Sequence, residues 1–408
     1  MKIFGQHDEQ TIIQFEHLRE GAIDAALMAD GHVGYVMPIG GVAAYRDRVS
    51  VVGVGFDIAC GNAAIRTDLA LDAFGQTPDE IHGRLSRIAD EIASTVSFGM
   101  GRKNRADDAP VDHPLFDAPA WSAVPAKHRG ALSTKARQQL GTVGSGNHYV
   151  DVFVDESGAI WVGVHFGSRG FGHTIASAFL AIGQGKPWGE RVPEREVLLD
   201  TSQPSGHDYW HLMSLAGEYA YAGREWVARK VVSILGATER ELVHNHHNFA
   251  WRETHGGEEM VVVRKGATPA FPGQKGFIGG SMGDDAVIVR GALTDASAED
   301  VRAAQQAALF STVHGAGRVM SRTQAAGKRN RKTGQVLSPG RVTSEMMQEW
   351  IAKKGVILRG GGLDESPHVY RRLPEVLAAQ EGTVEVLHTL KPLIVVMAGA
   401  DEFDPYKD

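Results

Sequence analysis

Ala159-Ile-Trp161-Val-Gly163-Val-His165-Phe-Gly167-Ser-Arg169-Gly170 is the stretch from which the rest of the chain is read. Residues 159–165 are rich in β-branched and aromatic side chains and read as a strand. The strand ends at a histidine and runs into a glycine loop that carries an arginine. The stretch Thr174–Ile182 then turns amphipathic at helical spacing. A possible ligand at a strand end, followed by an anion-binding loop, suits a phosphate site. A histidine satisfied inside the core is the other reading of the same residues.

The same alternation runs along the whole chain. Further strands are expected at Val49–Phe56, Met260–Arg264, Ala286–Arg290 and Leu393–Met397. Helices are expected near Ile81–Val96, Asp208–Leu235, Ala298–Phe310, Ser344–Lys353 and Leu373–Gln380. Gly99–Pro119 is polar, contains proline, and reads as a surface loop. The pattern is that of a mixed α/β (α+β) fold. No repeat, low-complexity segment or clear linker divides the 408 residues. One large domain over 1–408 is expected, with an acidic tail at 400–408.

Composition narrows the function. Hydrophobic residues make up 43% and charged residues 22%, as in an ordinary globular protein. The single cysteine, Cys60, excludes an intrachain disulfide and suits a reducing compartment. It also excludes zinc modules built on several cysteines. No apolar run reaches about 18 residues, and MKIFGQHDEQ lacks the apolar core of a signal peptide. A soluble, cytoplasmic protein is expected. Glycine is 49 of 408 residues, well above the usual ~7%, and histidine is 18. Turns and imidazoles in this abundance are what a phosphate-handling metal site uses. The net charge of −7 requires any nucleic-acid surface to be a local patch.

Several clusters carry the chemistry. In Gly53-Val-Gly-Phe-Asp57-Ile-Ala-Cys60-Gly61, one turn can aim Asp57 and Cys60 at a common point. A thiolate can bridge two metals, and a carboxylate beside it suits an oxygen-preferring ion. A buried structural cysteine with a turn-capping aspartate fits the same residues. In Gly141-Thr-Val-Gly144-Ser-Gly146-Asn147-His148 the glycines free backbone N–H groups to face an anion. Asn147 could then add a phosphate contact and His148 a metal ligand. His244-Asn-His246-His247-Asn248 packs three histidines into four positions. If it is extended, His246 and His247 point to opposite faces, so without a bend only one can ligate a given ion. Arg264-Lys265-Gly266 and Gly279-Gly-Ser281-Met-Gly283 read equally as phosphate loops and as plain turns. In His314-Gly315-Ala316-Gly317-Arg318, an imidazole precedes a tight loop and an arginine. Such an imidazole is a competent nucleophile towards phosphorus once a partner orients its other nitrogen. From His314 to Arg341 there are seven Lys/Arg and no Asp or Glu, the local basic patch the net charge calls for.

Absences sharpen this reading. There is no P-loop and no His-Glu-x-x-His. Gly279–Gly283 matches Gly-x-Ser-x-Gly, but a strand-like run follows it where a nucleophile elbow needs a helix. The Lys-x-Asp-Gly of lysine-based nucleotidyl transferases is also missing, so histidine is the available nucleophile for nucleotide activation.

Taken in order, the clusters resemble the RtcB family of GTP-dependent RNA ligases. The matching pieces are Asp30-Gly-His32, Gly-Phe-Asp57-x-x-Cys60-Gly, Gly-Ser-Gly-Asn147-His148, His165-x-Gly-Ser-Arg169-Gly and His246-His247-Asn248. They continue with Arg264-Lys265-Gly-Ala-Thr, Gly-Ser281-Met-Gly, His314-Gly-Ala-Gly-Arg318-Val-Met-Ser-Arg and Asp364-Glu365-Ser-Pro-x-x-Tyr370. Together they cover residues 30 to about 370. The resemblance implies a dedicated αβ fold around a two-manganese site, with Cys60 bridging the ions. Asp57, His148, His165 and His247 would complete the coordination. His314 would become guanylylated. Asn147, Arg169, Ser281 and the loop Gly315, Ala316, Gly317 and Arg318 would hold phosphates, and Tyr370 would stack on guanine. Lys265 and His246 fall at positions the family uses in catalysis, His246 without being a direct ligand.

The implied partners are GTP and RNA bearing a 2′,3′-cyclic phosphate or 3′-phosphate and a 5′-hydroxyl. The implied process is tRNA splicing or RNA repair, by a monomer and with an archease-type activator. Close alternatives are a paralogue that caps 3′-phosphates without joining them and a metal-dependent cyclic phosphodiesterase. The chain departs from the family in places. Asp151 stands where a guanine-reading Glu is usual, Asp284-Asp285-Ala286 follows Ser281-Met-Gly, and Arg371 replaces a lysine. The terminal Lys-Gly is absent, and Lys407 is expected to take the place of its lysine.

Overall fold

The computed structural model describes residues 1–293, 298–329, 335–400 and 402. Two mixed α/β layers organise them. The larger sheet places its strands in the spatial order Glu239–His246, Gly61–Ala70, Ala159–Phe166, Tyr149–Val154, Val384–Met397, Ala286–Gly291 and Lys275–Ile278. Ile357–Arg359 pairs with Val384–Met397 at the side. All neighbours along the main path are antiparallel. The second sheet runs Lys2–Ile3, Asp24–His32, Ile39–Tyr45, Glu258–Lys265 and Asn248–His255.

Alternation along the strands decides what each face of the larger sheet buries. Ala63, Ile65, Val150, Val152, Val162 and Val164 pack beneath helices Pro78–Thr95 and Pro204–Leu235. Ala64, Phe153, Trp161 and Ile288 turn to the opposite face. Ile278, Val287 and Val289 meet Ala26, Met28, Val42 and Val262 of the second sheet in one cluster, which joins the two layers. The 32-residue helix Pro204–Leu235 starts with proline in its first turn, where no intrahelical N–H is needed. It ends at Gly236 in the left-handed conformation, φ +69°. Among the described residues, no helix is long and apolar enough to cross a membrane.

Most expected elements are present with shifted ends. The strand at 159 runs to Phe166, and the helices at 174 and 208 begin earlier, at Arg169 and Pro204. Three readings need correction. Val49–Phe56 is not one strand: it pairs only over Arg48–Ser50, and Val51–Val54 is a helical turn. The Ser50 hydroxyl accepts from the Gly53 N–H and caps that turn, overriding the β-branched composition. Gly99–Pro119 is not wholly a surface loop, because Leu115 and Phe116 are buried in the turn Pro114–Asp117. The helix expected to reach Phe310 stops at Ala307, since Leu309 and Phe310 both take positive φ. The tail reading, Lys407 included, lies outside the described residues apart from Ala400 and Glu402.

Candidate active site

Antiparallel pairing gathers the candidate metal ligands. The strand Gly61–Ala70 begins where its neighbours end: Gly61 is in register with Phe166 on one side and His246 on the other. Tyr149, which opens the next strand, is in register with His165. Cys60 and His148 just precede strands, His165 lies at a strand end, and His247 lies just past one. All four therefore meet at one end of the sheet. Asp57 joins them because the Cys60 N–H donates to the Asp57 carbonyl, closing a tight turn.

The ligating atoms form two groups that share Cys60. One is Cys60, His165 and His247; the other is Asp57, Cys60 and His148; within each, the atoms lie within 4.8 Å of one another. Cys60 Sγ is 3.6 Å from His165 Nε2 and 3.7 Å from His148 Nε2, which is itself 3.2 Å from Asp57 Oδ2. The tautomer of His165 follows from its partner. Asn62 donates Nδ2–H to the Phe277 carbonyl, so its Oδ1 accepts from His165 Nδ1, 2.7 Å away. The Nε2 lone pair then faces the thiol. Burial depresses the basicity of His165 and His247 and keeps both imidazoles neutral and able to ligate. Burial raises Asp57, but the hydrogen bond and charge of His148 outweigh it and hold the carboxyl below its usual range. Burial and the Asp57 charge push the Cys60 thiol well up, so a thiolate here calls for a cation. Buried His247 Nδ1 has no hydrogen-bond partner. One thiol, three imidazoles and one carboxylate, with an orphaned ring nitrogen among them, fit a pair of transition-metal ions.

His314 sits beside this cluster, its ring centroid 4.9 Å from that of His247. Its Nδ1 lies 2.6 Å from Oδ2 of Asp30, which is fully buried. The same oxygen accepts from the N–H groups of His314 and Gly315. Gly317 takes φ +73°, and a Cβ there would come within 2.3 Å of the Asp30 carbonyl, so only glycine lets the loop close on Asp30. Arg371 completes the clamp: its two terminal nitrogens donate to the carbonyls of Ala29 and Gly31, on either side of Asp30. That fork needs a guanidinium, which a lysine cannot imitate.

A half-open cleft leads away from this point. Asn147, Asp151, His165, Ser281, His314, Gly315, Ala316, Gly317, Arg318 and Tyr370 all line it, as does His32. Asp151 is buried, which raises its carboxyl well above the usual range, and its Oδ1 has no partner. The Ser281 hydroxyl donates to Asp284, whose carboxylate also pairs with Arg372, so this departure from the family pattern brings its own counter-charge. Arg318 is engaged by Glu365, the Tyr370 hydroxyl and the Asp364 carbonyl. Of the basic run from His314 to Arg341, Arg318 and Arg322 are thus ion-paired with Asp364 and Glu365.

Other expected site residues lie elsewhere. Arg169 stands outside the cavity lining, at positive φ at the start of its helix, with Nη1 3.2 Å from His148 Nδ1. Lys265 does not line the cavity: its Nζ donates to the Val52 carbonyl, and its ammonium lies 6.0 Å from the centre of the Tyr35 ring. Arg264 is spent on Glu253 and Ser311. His246 turns away from the cluster and stacks on Tyr221, 3.8 Å between centroids, with Nδ1 2.8 Å from Arg224. His247 faces inward because it falls between the strands Glu239–His246 and Asn248–His255.

Three residues escaped the sequence reading. Asp30 was noted without a role, Asn62 was overlooked although it follows Cys60-Gly61, and Arg224 lay inside a long helix. Arg224 is fully buried and donates to the carbonyls of Ala59 and Phe166, tying the two ligand-bearing strands to the helix.

A family model described as tRNA-splicing ligase RtcB matches residues 12–398. The chain belongs to the RtcB family. Among curated relatives, the RNA-splicing ligase RtcB of Escherichia coli (strain K12) is 31% identical over 394 residues, covering 91% of this chain and 89% of that protein. The tRNA-splicing ligase RtcB of Thermococcus kodakarensis is 30% identical over 443 residues, covering 90% and 86%. That of Archaeoglobus fulgidus is 31% identical over 447 residues, covering 91% and 87%. The RtcB match thus spans both sheets, the Cys60 cluster and the His314 loop.

Proposed function

We propose that the chain joins RNA ends, a 2′,3′-cyclic phosphate or 3′-phosphate to a 5′-hydroxyl, using GTP, with GMP carried on His314 and two Mn²⁺ ions at the Cys60 clusters. The observation that carries this reading is the His314–Asp30 contact at the wall of a polar cavity beside those clusters.

Asp30 Oδ2 lies 2.6 Å from His314 Nδ1, and a proton shared between them once they align would leave the Nε2 lone pair free for attack. Nε2 forms a bond to the α-phosphorus of GTP, the bond from that phosphorus to the β-bridging oxygen breaks, and pyrophosphate leaves. The positive charge that develops on the ring faces Asp30. A cyclic phosphate is opened by water to a 3′-phosphate, one of whose oxygens then displaces His314 from phosphorus and takes up GMP. Attack by the 5′-hydroxyl on the activated 3′-phosphorus expels GMP and closes the phosphodiester. The Gly315–Gly317 backbone and Asn147 would bind and orient phosphates, and Asp151 and Tyr370, which also line the cavity, would face the base. Bound Mn²⁺ would neutralise charge on the crowded phosphates and acidify a hydroxyl. Thiolate and imidazole donors select such an ion over magnesium.

The test is label transfer. Metal-loaded protein is mixed with α-labelled GTP or ATP, denatured and resolved, with His314→Ala alongside. An acid-labile band from GTP, absent in the variant, supports the reading, and product analysis then separates joining from capping. Transfer from ATP alone would assign a changed base preference to Asp151. No transfer from either nucleotide overturns the nucleotidyl step and leaves cyclic-phosphate hydrolysis as the activity to assay.

A further inference from the structure

A row of rings lies outside the cavity, beside the cluster. Tyr35 and Phe56 meet edge to face with centroids 6.4 Å apart, and Phe56 and His173 follow at 5.5 Å with a tilt of 31°. Tyr35 is 51% exposed, and Phe56 and His173 are partly exposed, with Phe56 resting on the core beneath. Tyr35 lies three residues beyond the cavity-lining His32, Phe56 directly precedes Asp57, and His173 stands one turn along the helix from Arg169. Lys265, anchored on the Val52 carbonyl, has its ammonium 6.0 Å from the centre of the Tyr35 ring.

The far end of the row meets positive charge. Lys135 lies along Gly170, and its Nζ is 3.5 Å from the Thr174 hydroxyl, beside His173. Lys135 belongs to the helix Ala126–Gln139, which also carries Lys127, whereas its Arg129 donates to the Ser122 and Val124 carbonyls and its Arg137 pairs with Asp112. Rings flanked by a lysine suit single-stranded nucleic acid, whose unpaired bases offer flat faces and whose backbone offers phosphates.

We propose that Tyr35, Phe56 and His173 form a stacking strip for unpaired bases of the RNA strand entering the site, with Lys135 receiving its phosphates. The proposal rests on the RNA-ligase reading above and adds to it a preference for unpaired ends. A duplex keeps its bases stacked on one another and cannot use the strip.

The experiment measures binding of the full-length, metal-loaded protein to a fluorescein-labelled single-stranded RNA ending in a 3′-phosphate. A blunt RNA hairpin serves as the comparison. Tyr35→Ala and His173→Ala should each weaken single-strand binding about tenfold or more, while hairpin binding changes less than about twofold. Tyr35→Phe, which keeps the ring, should stay within about twofold of wild type. A 2-aminopurine near the RNA end should be quenched on binding to wild type and not to Tyr35→Ala. Unchanged single-strand binding in both alanine variants overturns the strip alone. So does an equal loss in Tyr35→Phe or on the hairpin, which would mark a merely structural effect. Wild-type protein that binds neither RNA overturns the strip and the RNA-ligase reading together.

Discussion

His314 depends on a carboxylate 284 positions away in the chain. Asp30→Asn keeps the shape of that partner but no longer fixes the proton on Nδ1. Label transfer to His314 should fall by about 10²–10⁴-fold, with folding preserved. A variant as active as wild type would show that the backbone alone orients the ring. Lys265 presents a different residue-scale effect. Burial lowers its ammonium to about 8, below the ordinary lysine value near 10.5. Between those two pH values the unfolded chain binds more protons than the folded one, so stability from this site rises with pH. Below about pH 8 both states carry the charge, and folding bears the full cost of burying it. Relative to Lys265→Met, wild-type unfolding free energy should therefore gain on the order of a few kcal/mol from pH 7.5 to 10. A pH-independent difference would show that the folded ammonium titrates normally.

At the scale of the element, the cluster is a product of strand ends. Histidines at 148, 165 and 247 converge because antiparallel neighbours alternate starts and finishes along one edge. The loop after the strand Ala159–Phe166 must then pass close to Asp57. A Cβ on Gly167 would come within 2.3 Å of Asp57 Oδ1, with no positive φ to forbid the residue itself. Gly167→Ala should push the carboxylate aside and empty the group formed by Asp57, Cys60 and His148 first. Manganese bound per chain, read by elemental analysis after dialysis, should drop from two towards one. Retention of two ions would mean that Asp57 is not a ligand or can shift without loss.

At the scale of the molecule, the site is a joint between layers. Asp30 belongs to the second sheet, His165 to the larger one, Cys60 and His148 directly precede two of its strands, and His247 lies in the turn that passes from one sheet to the other. A cation held by the candidate ligands from residue 57 to residue 247 would bind only the folded chain, so its affinity would add to global stability. Saturation at about 100 times the dissociation constant should stabilise the protein by about 2.7 kcal/mol. Thermal unfolding should rise in Mn²⁺, fall in chelator, and lose most of its response in Cys60→Ser. An identical midpoint with and without metal would argue that the cluster is purely structural.

Local signals made much of this legible. Short β-branched runs within 159–166, 258–265 and 286–291 mark strands buried on both faces over most of their length. The helix Pro204–Leu235 is marked by its length, its starting proline and its closing glycine. The side chains with ligating chemistry stand out by residue type, since Cys60 is the only thiol and three histidines crowd positions 244–247. The short turn Val51–Val54 was hidden because a single serine cap reversed a β-branched preference. What a chain determines by itself is what neighbouring residues impose on one another: periodicity, capping, and the kinds of atom available. Only the tertiary structure decided that Asp30 serves His314, that Asn62 sets the tautomer of His165, and that Lys265 and His246 face away from the cavity. Those outcomes depend on register between strands far apart in sequence. A shift of one residue would turn each of these side chains to the other face.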